Sequence, residues 1–218
     1  MDAIADAFKE GGWGMYPIAF IAVFIIAIAA ERIAYLFFKA RINKNDFVNT
    51  MHKYLFQGNL QRAITYCSSI RAPLANIIKA GLLRIDGTEK EIQSAMDEMA
   101  LVELPRIEKR TGYLAMLGNV AVLAGLLGTI SGLIKSFAAV SYADAAEKAV
   151  LLAKGISEAM NCTAFGLGAA IPGLILFSIL SGTTQHLIDD INESTVRMLN
   201  LILANRDKLN TSDVQGAE

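Results

Sequence analysis

The sequence predicts an all-α integral membrane protein, three transmembrane helices joined to a cytoplasmic helical domain. Two features carry that reading. The chain of 218 residues is 54% hydrophobic and only 19% charged, with a mean hydropathy of +0.41, and its charges are gathered into blocks. A soluble domain of this length distributes charge along every surface helix; here long stretches carry none.

A helix needs about 20 apolar residues to cross the bilayer core, and three stretches qualify. Met15 to Phe38 is interrupted only by Glu31 and Arg32 near its end. Leu114 to Ile134 contains no Asp, Glu, Lys or Arg, and neither does Ala159 to Ile188, whose helix is expected to begin near Ala149. Ala75 to Leu83 is too short and carries Lys79. The expected divisions are an outer N-terminus (1–14), a first span (15–38), a cytoplasmic helical region (39–111), a second span (112–137), a short outer link (138–148), a third span (149–185), and a cytoplasmic amphipathic helix with its tail (186–218). The first span reads as a retained anchor. Asp2, Asp6, Lys9 and Glu10 make an acidic leader where a secretory signal is basic, and Trp13 and Tyr16 sit where an interfacial aromatic belt belongs.

Orientation follows from Lys and Arg. The region from Lys39 to Arg110 carries twelve of them, whereas the N-terminal flank has Lys9 and the outer link region has Lys148 and Lys154. The positive-inside rule puts 39–110 and the C-terminus in the cytoplasm and the N-terminus outside. Cys67 is then a free thiol in a reducing compartment, expected to react with a thiol reagent only after lysis. Cys67 and Cys162 are too far apart and too few for a disulfide framework or zinc site. His52 and His186 read as solvated surface residues. A net charge of -1 argues against a nucleic-acid binder.

The cytoplasmic region reads as helical. Thr88 and Glu91 have capping-box spacing, and Ile92, Met96, Met99 and Val102 recur at helical steps. Pro73 suits a helix start, and Pro105 is expected to kink the helix leading to the second span. Gly58-Asn59 and Asp86-Gly87 mark turns. Leu187, Ile191, Met198 and Ile202 form a helical stripe after the third span, and the last eight or so residues are expected to be a disordered tail.

Chemistry is scarce inside the spans. Gly118, Gly125 and Gly132 recur every seven residues, and Gly128 with Gly132 forms a GxxxG pair, the spacing that lets helices approach closely in lipid. Thr129, Ser131 and Thr163 lie deep in charge-free helix, with Asn119 and Asn161 nearer the ends. Such hydroxyls can bond back to a carbonyl one turn earlier, so each alone is a weak signal. Glu158 is either a functional acid, as intramembrane carboxylates commonly are, or an interfacial acid paired with Lys154. At about 100° per residue Glu158 and Thr163 stand roughly 140° apart and cannot share a face. Thr163 shares its face with Ala159, Ile156 and Ala170; Thr129 shares its face with Val122, Gly125, Gly132 and Ser136. These faces are small, mildly polar and without a titratable group.

Two long motifs carry a family resemblance. Gly125-Leu-Leu-Gly-Thr-Ile-Ser-Gly-Leu-Ile-Lys-Ser-Phe137 resembles the second-span signature of the MotA/TolQ/ExbB proton-channel family, and Leu152 through Pro172 resembles its third-span signature. Gly-Gly-Trp-Gly-Met-Tyr-Pro at 11–17 and Glu31-Arg32 are similar to the family's opening span. Three spans place the chain with the TolQ/ExbB-like branch. The resemblance implies a homopentameric ring in a bacterial inner membrane, N-terminus periplasmic, around a dimer of a single-span TolR/ExbD-type protein with a protonatable membrane Asp. By the same resemblance Thr129, Thr163 and Glu158 belong to the ion pathway, and Gly125, Gly128, Gly132, Ser136, Ala159 and Pro172 to the pore face and helix packing. Val122 stands where the family often has proline, which removes a kink site. The stretches around Asn119 and from Ile156 to Asn161 are similar to family members outside the Tol and Ton systems, gliding-motility proteins among them.

Two function classes therefore stand at this stage: a subunit that converts the proton-motive force into mechanical work on the envelope, and a passive scaffold that only assembles a transport or motility complex. With no nucleophile–base pair, phosphate loop or metal cluster in the sequence, neither an enzyme nor a cofactor or metal is expected.

Overall fold

A computed structural model describes residues 11–36, 44–144, 146–206 and 209. Among them the helices are α1 (Met15–Ala34), α2 (Lys44–Phe56), α3 (Leu60–Ser69), α4 (Pro73–Leu82), α5 (Glu89–Glu108), α6 (Thr111–Tyr142) and α7 (Lys148–Ala204). The acidic leader, Lys39, Arg41 and the polar tail named above lie outside the described residues. Three helical stretches are long and apolar enough to cross a membrane: Met15–Ala34, Glu89–Tyr142 and Lys148–Ala204.

Local chemistry sets the boundaries. Asn59 caps α3 by accepting from the Arg62 N–H at 3.1 Å, and Pro73 opens α4 at a position whose N–H has no helical partner. The capping box of α5 is complete. The Thr88 N–H donates to Glu91 Oε2 at 2.6 Å, and the Glu91 N–H donates to Thr88 Oγ1 at 3.3 Å. Pro105 lies within α5, and the helix ends beyond it, where Lys109 leaves helical geometry and Arg110 takes φ 70°. The lost proline N–H is tolerated inside the helix, which ends at Lys109, ahead of the left-handed Arg110.

The chain forms two compact units. One comprises Met1–Arg32 with Arg110–Leu180, the other Ile33–Lys109 with Ser181–Glu218. The second has the build of a soluble core. Leu74, Ile77, Ile78 and Leu82 of α4 are fully buried, as are Ile92 and Met96 of α5, each side chain contributing about 1.5–3 kcal/mol by leaving water. Phe47 stacks on Tyr66 at 5.7 Å; Ile191, Met198 and Ile202 of the stripe expected for α7 are buried, while Leu187 is only half-buried and Ile188 takes the buried position beside it. Lys44 Nζ meets Asp190 at 2.6 Å and Glu193 at 3.2 Å. Arg206 donates to the carbonyls of Ile85, Asp86 and Gly87, clamping the end of α7 to the α4–α5 turn.

The stripe on α5 departs from expectation at its far end. Val102 is exposed and Glu103 is buried at 6% exposure. Its carboxylate accepts from Asn76 Nδ2 and Arg106 Nη1, both at 3.0 Å, which is how a charged group occupies a core position.

The first unit is built the opposite way. Its outward surface carries Phe20, Ile26, Leu123, Ile134, Phe137 and Met160, each more than 60% exposed. Between α6 and α7 its interior is lined largely by glycine, alanine and serine, and Met15, Ile18 and Ile25 of α1 are buried as well. Water does not tolerate an apolar belt of that extent; hydrocarbon does.

Candidate functional site: the threonine seam of α6 and α7

Within the first unit α6 and α7 run antiparallel along a seam of small residues. Gly118 faces Leu174, Gly125 faces Cys162 and Gly166, Gly128 faces Cys162, Gly132 faces Ala159, and Ser136 lies against Gly155. The contacts are close enough that a Cβ on Gly125 would stand 3.2 Å from Gly166 Cα and 3.0 Å from the Cys162 carbonyl. The seven-residue recurrence is therefore an intrachain packing device. With a heptad step on both sides, the backbones stay at van der Waals distance through the span.

That approach brings the two threonines together. Thr129 and Thr163 touch through their hydroxyls. Thr129 Oγ1 lies 3.1 Å from the Gly125 carbonyl and 3.0 Å from the Ala159 carbonyl, and Thr163 Oγ1 lies 3.4 Å from the Gly125 carbonyl. The back-bond expected for a lone membrane hydroxyl is present, joined by a cross-helix bond that no single helix supplies. Both threonines are half-buried, so one edge of the pair stays open along the seam. Two hydroxyl hydrogens face two carbonyls and each other, and with those hydrogens engaged the pair's free capacity is lone pairs.

The other expected residues are distributed around this pair. Ala159 is buried against Gly132 and supplies one of the carbonyls. Ser136 Oγ donates to the Gly132 carbonyl at 2.7 Å, sealing one end of the seam. Pro172 is exposed inside an unbroken α7, where it has no N–H for the Gly168 carbonyl. Asn119 is exposed, and Asn161 is half-buried beside Cys162. Glu158 stands off the threonine pair, as the helical angle requires. It extends over Gly12, where a Cβ would fall on its Oε1 and 3.0 Å from its Cδ, and no ion pair among the described residues joins it to Lys154.

Sequence reasoning missed the turn at Gly11–Gly14. Cys162 Sγ donates to the Gly11 carbonyl at 3.0 Å, Gly14 packs against Gly128 and Cys162, and Lys135 Nζ sits 5.7 Å from the Trp13 ring centroid. The signals were the density of glycine before α1, which reads equally well as a flexible leader, and the likeness of residues 11–17 to the family's opening span, which says nothing of a turn. At the other end of α6, Arg110 Nη1 pairs with Glu31 Oε1 at 2.5 Å.

Away from the spans, Cys67 departs from expectation. It is completely buried against Met51 Sδ at 3.7 Å, and burial pushes its thiol up to about 12. A thiol that scarcely ionises is a poor nucleophile in either compartment, so lysis alone does not make it reactive. The Lys44 ammonium is raised by its bonds to Asp190 and Glu193, and the Glu91 carboxyl is lowered by the Thr88 backbone N–H. His52 is exposed and stacks on Phe56; His186 is exposed.

The comparisons with known proteins identify the family. The sequence model of the MotA/TolQ/ExbB proton channel family matches residues 69–193, more than half of the chain and the whole threonine seam. The chain belongs to the MotA/TolQ/ExbB proton channel family. A biopolymer transport protein ExbB of Salmonella typhimurium is 30% identical over 188 residues, covering 78% of this chain and 77% of that protein. An ExbB homologue of Methanothermobacter thermautotrophicus is 28% identical over 189 residues, 86% of this chain and 66% of that protein. A chain of the C. jejuni MotAB structure superposes with a TM-score of 0.59 at 18% identity, over 92% of this chain and 78% of that one, which establishes the shared helical fold. Family membership makes this a membrane protein of the proton-channel class.

Proposed function

We propose that the chain is the ring subunit of a proton-channel motor in a bacterial inner membrane. Five copies surround two copies of a single-span TolR/ExbD-type partner and convert the proton-motive force into work on the envelope: transport, envelope maintenance or motility. The N-terminus and the α6–α7 link face the periplasm, and α2–α5 with the end of α7 face the cytoplasm, in keeping with the Lys/Arg distribution. The observation that carries the reading is the Thr129–Thr163 pair, a polar contact with an open edge in a stretch of membrane helix that holds no charge.

The pair cannot move a proton across the membrane unaided. Hydroxyls, methyls and glycine backbone do not change charge near neutral pH, and a bare charge at that depth costs several kcal/mol or more. A titratable group must come from elsewhere. With its two hydrogens engaged among the Gly125 and Ala159 carbonyls and the hydroxyl–hydroxyl contact, the pair accepts a hydrogen bond and offers none. It favours a partner carboxyl in the protonated, donating form and releases the carboxylate, which gives the ring a way to read the partner's charge state. A passive scaffold would use the same hydrogen bonds for packing alone, so the separating measurement is ion flow.

Proton flux into liposomes holding this chain alone is expected to stay at the background of empty liposomes. Flux is expected when the single-span partner is co-reconstituted, and to stop when the partner's membrane Asp is changed to Asn. Steady flux from the single chain would overturn the reading and make Glu158 the internal carrier.

A further inference from the structure

We propose that the Gly11–Gly14 turn is a seat that holds the Glu158 carboxylate at the outer end of the α6–α7 seam, with Gly12 as its positioning residue; the role of that carboxylate in ion passage rests on the motor reading above. Gly12 has φ 66°, in the left-handed region that favours glycine. A Cβ there would fall on Glu158 Oε1 and crowd Cδ at 3.0 Å. Backbone conformation and space both therefore demand a residue without a side chain at the one place where the carboxylate rests.

The turn is anchored to the same residues that bracket the threonines. Cys162, which donates to the Gly11 carbonyl, immediately precedes Thr163. Gly128, against which Gly14 packs with 3.3 Å between its Cα and a Cβ built on Gly14, immediately precedes Thr129. Trp13, between these glycines, lies beneath the Lys135 ammonium. The turn thus ties the carboxylate's position to the threonine pair from which the helical angle separates it. An ion reaching the pair from the outer side meets an acid whose place is set by a glycine outside both pore helices.

The chain has a single tryptophan, and it sits in the turn, so Trp13 fluorescence in the purified full-length chain reports the seat without reference to transport. Gly12→Ala and Glu158→Ala are each expected to shift the Trp13 emission and its quenching by acrylamide. The double variant is expected to shift them no further than the larger single change, because both act on one contact. In the complete complex in cells, Gly12→Ala is expected to lower energised activity on the order of tenfold, as a misplaced functional group does. Glu158→Asp in the Gly12→Ala background is expected to restore much of it, since a side chain one methylene shorter clears the new Cβ. If glycine were needed only for its backbone, shortening Glu158 would leave the Gly12→Ala defect unchanged. Additive fluorescence shifts, or a Gly12→Ala defect indifferent to Glu158→Asp, would overturn the proposal. Coupled shifts with undiminished activity would support the seat and overturn the role of that carboxylate in ion passage instead.

Discussion

At the scale of single residues the distinctive contact is one hydroxyl against another across two helices. Thr129→Val and Thr163→Val keep the branched shape and delete the oxygen, so packing along the seam survives while the acceptor capacity of the pair is lost. Both variants are expected to reach normal membrane levels and oligomer size and to lose energised function. Thr163→Ser keeps the hydroxyl and is expected to be milder. Activity of the assembled complex in cells, set against immunoblots and native gels of the same membranes, measures this. Full activity in both valine variants would reduce the threonines to packing. Glu103 shows the same logic in the other unit: a charged group is admitted to a core position because Asn76 and Arg106 satisfy it.

At the scale of elements the glycines divide by what lies opposite them. Gly125 faces backbone on both sides of the threonine pair, so Gly125→Leu must part α6 from α7 and is expected to cost several kcal/mol through overpacking, with loss of the Thr129–Thr163 contact. Gly112 has nothing within 4 Å of where a Cβ would sit, and Gly112→Ala in the first turn of α6 is expected to be neutral or stabilising by up to about 1 kcal/mol. Thermal unfolding of the two variants in detergent separates them, and equal losses would mean that the seam does not hold the helices together. Elsewhere α5 owes its start to the Thr88–Glu91 box and its end to the break at Lys109–Arg110, both short-range features.

At the scale of the whole molecule the two units obey different solvents. One buries its apolar residues and the other displays them, as water and hydrocarbon respectively demand. The proposed orientation is testable at Ser68, which is exposed on α3 next to the buried Cys67. Ser68→Cys is expected to resist a membrane-impermeant maleimide in intact cells and to label rapidly after lysis. The unmodified chain is expected to label slowly in both states because its Cys67 thiol is buried and held up to about 12. Rapid labelling of Ser68→Cys from outside would reverse the topology. The motor reading is also adequate in energy, at about 2.3 kcal/mol per charge for each 100 mV of membrane potential.

The sequence by itself determined the features that depend on near neighbours or on bulk composition. Three apolar runs of sufficient length, the turn at Gly58-Asn59, the helix start at Pro73, the capping box at Thr88, and three of the four residues of the buried stripe on α7 were legible, because hydropathy and capping act within a few residues. The family was legible too, since its two span signatures are continuous in sequence. Only the tertiary structure decided what meets across helices. It paired Thr129 with Thr163, turned the glycine heptads inward as a seam within one chain, laid Glu158 over Gly12, buried Glu103 in place of Val102 and hid the Cys67 thiol. Helical periodicity assigns a residue to a face but not to the partner of that face. In each of these cases at least one partner lies more than a dozen residues away, fixed by backbone approach and packing that no local pattern records.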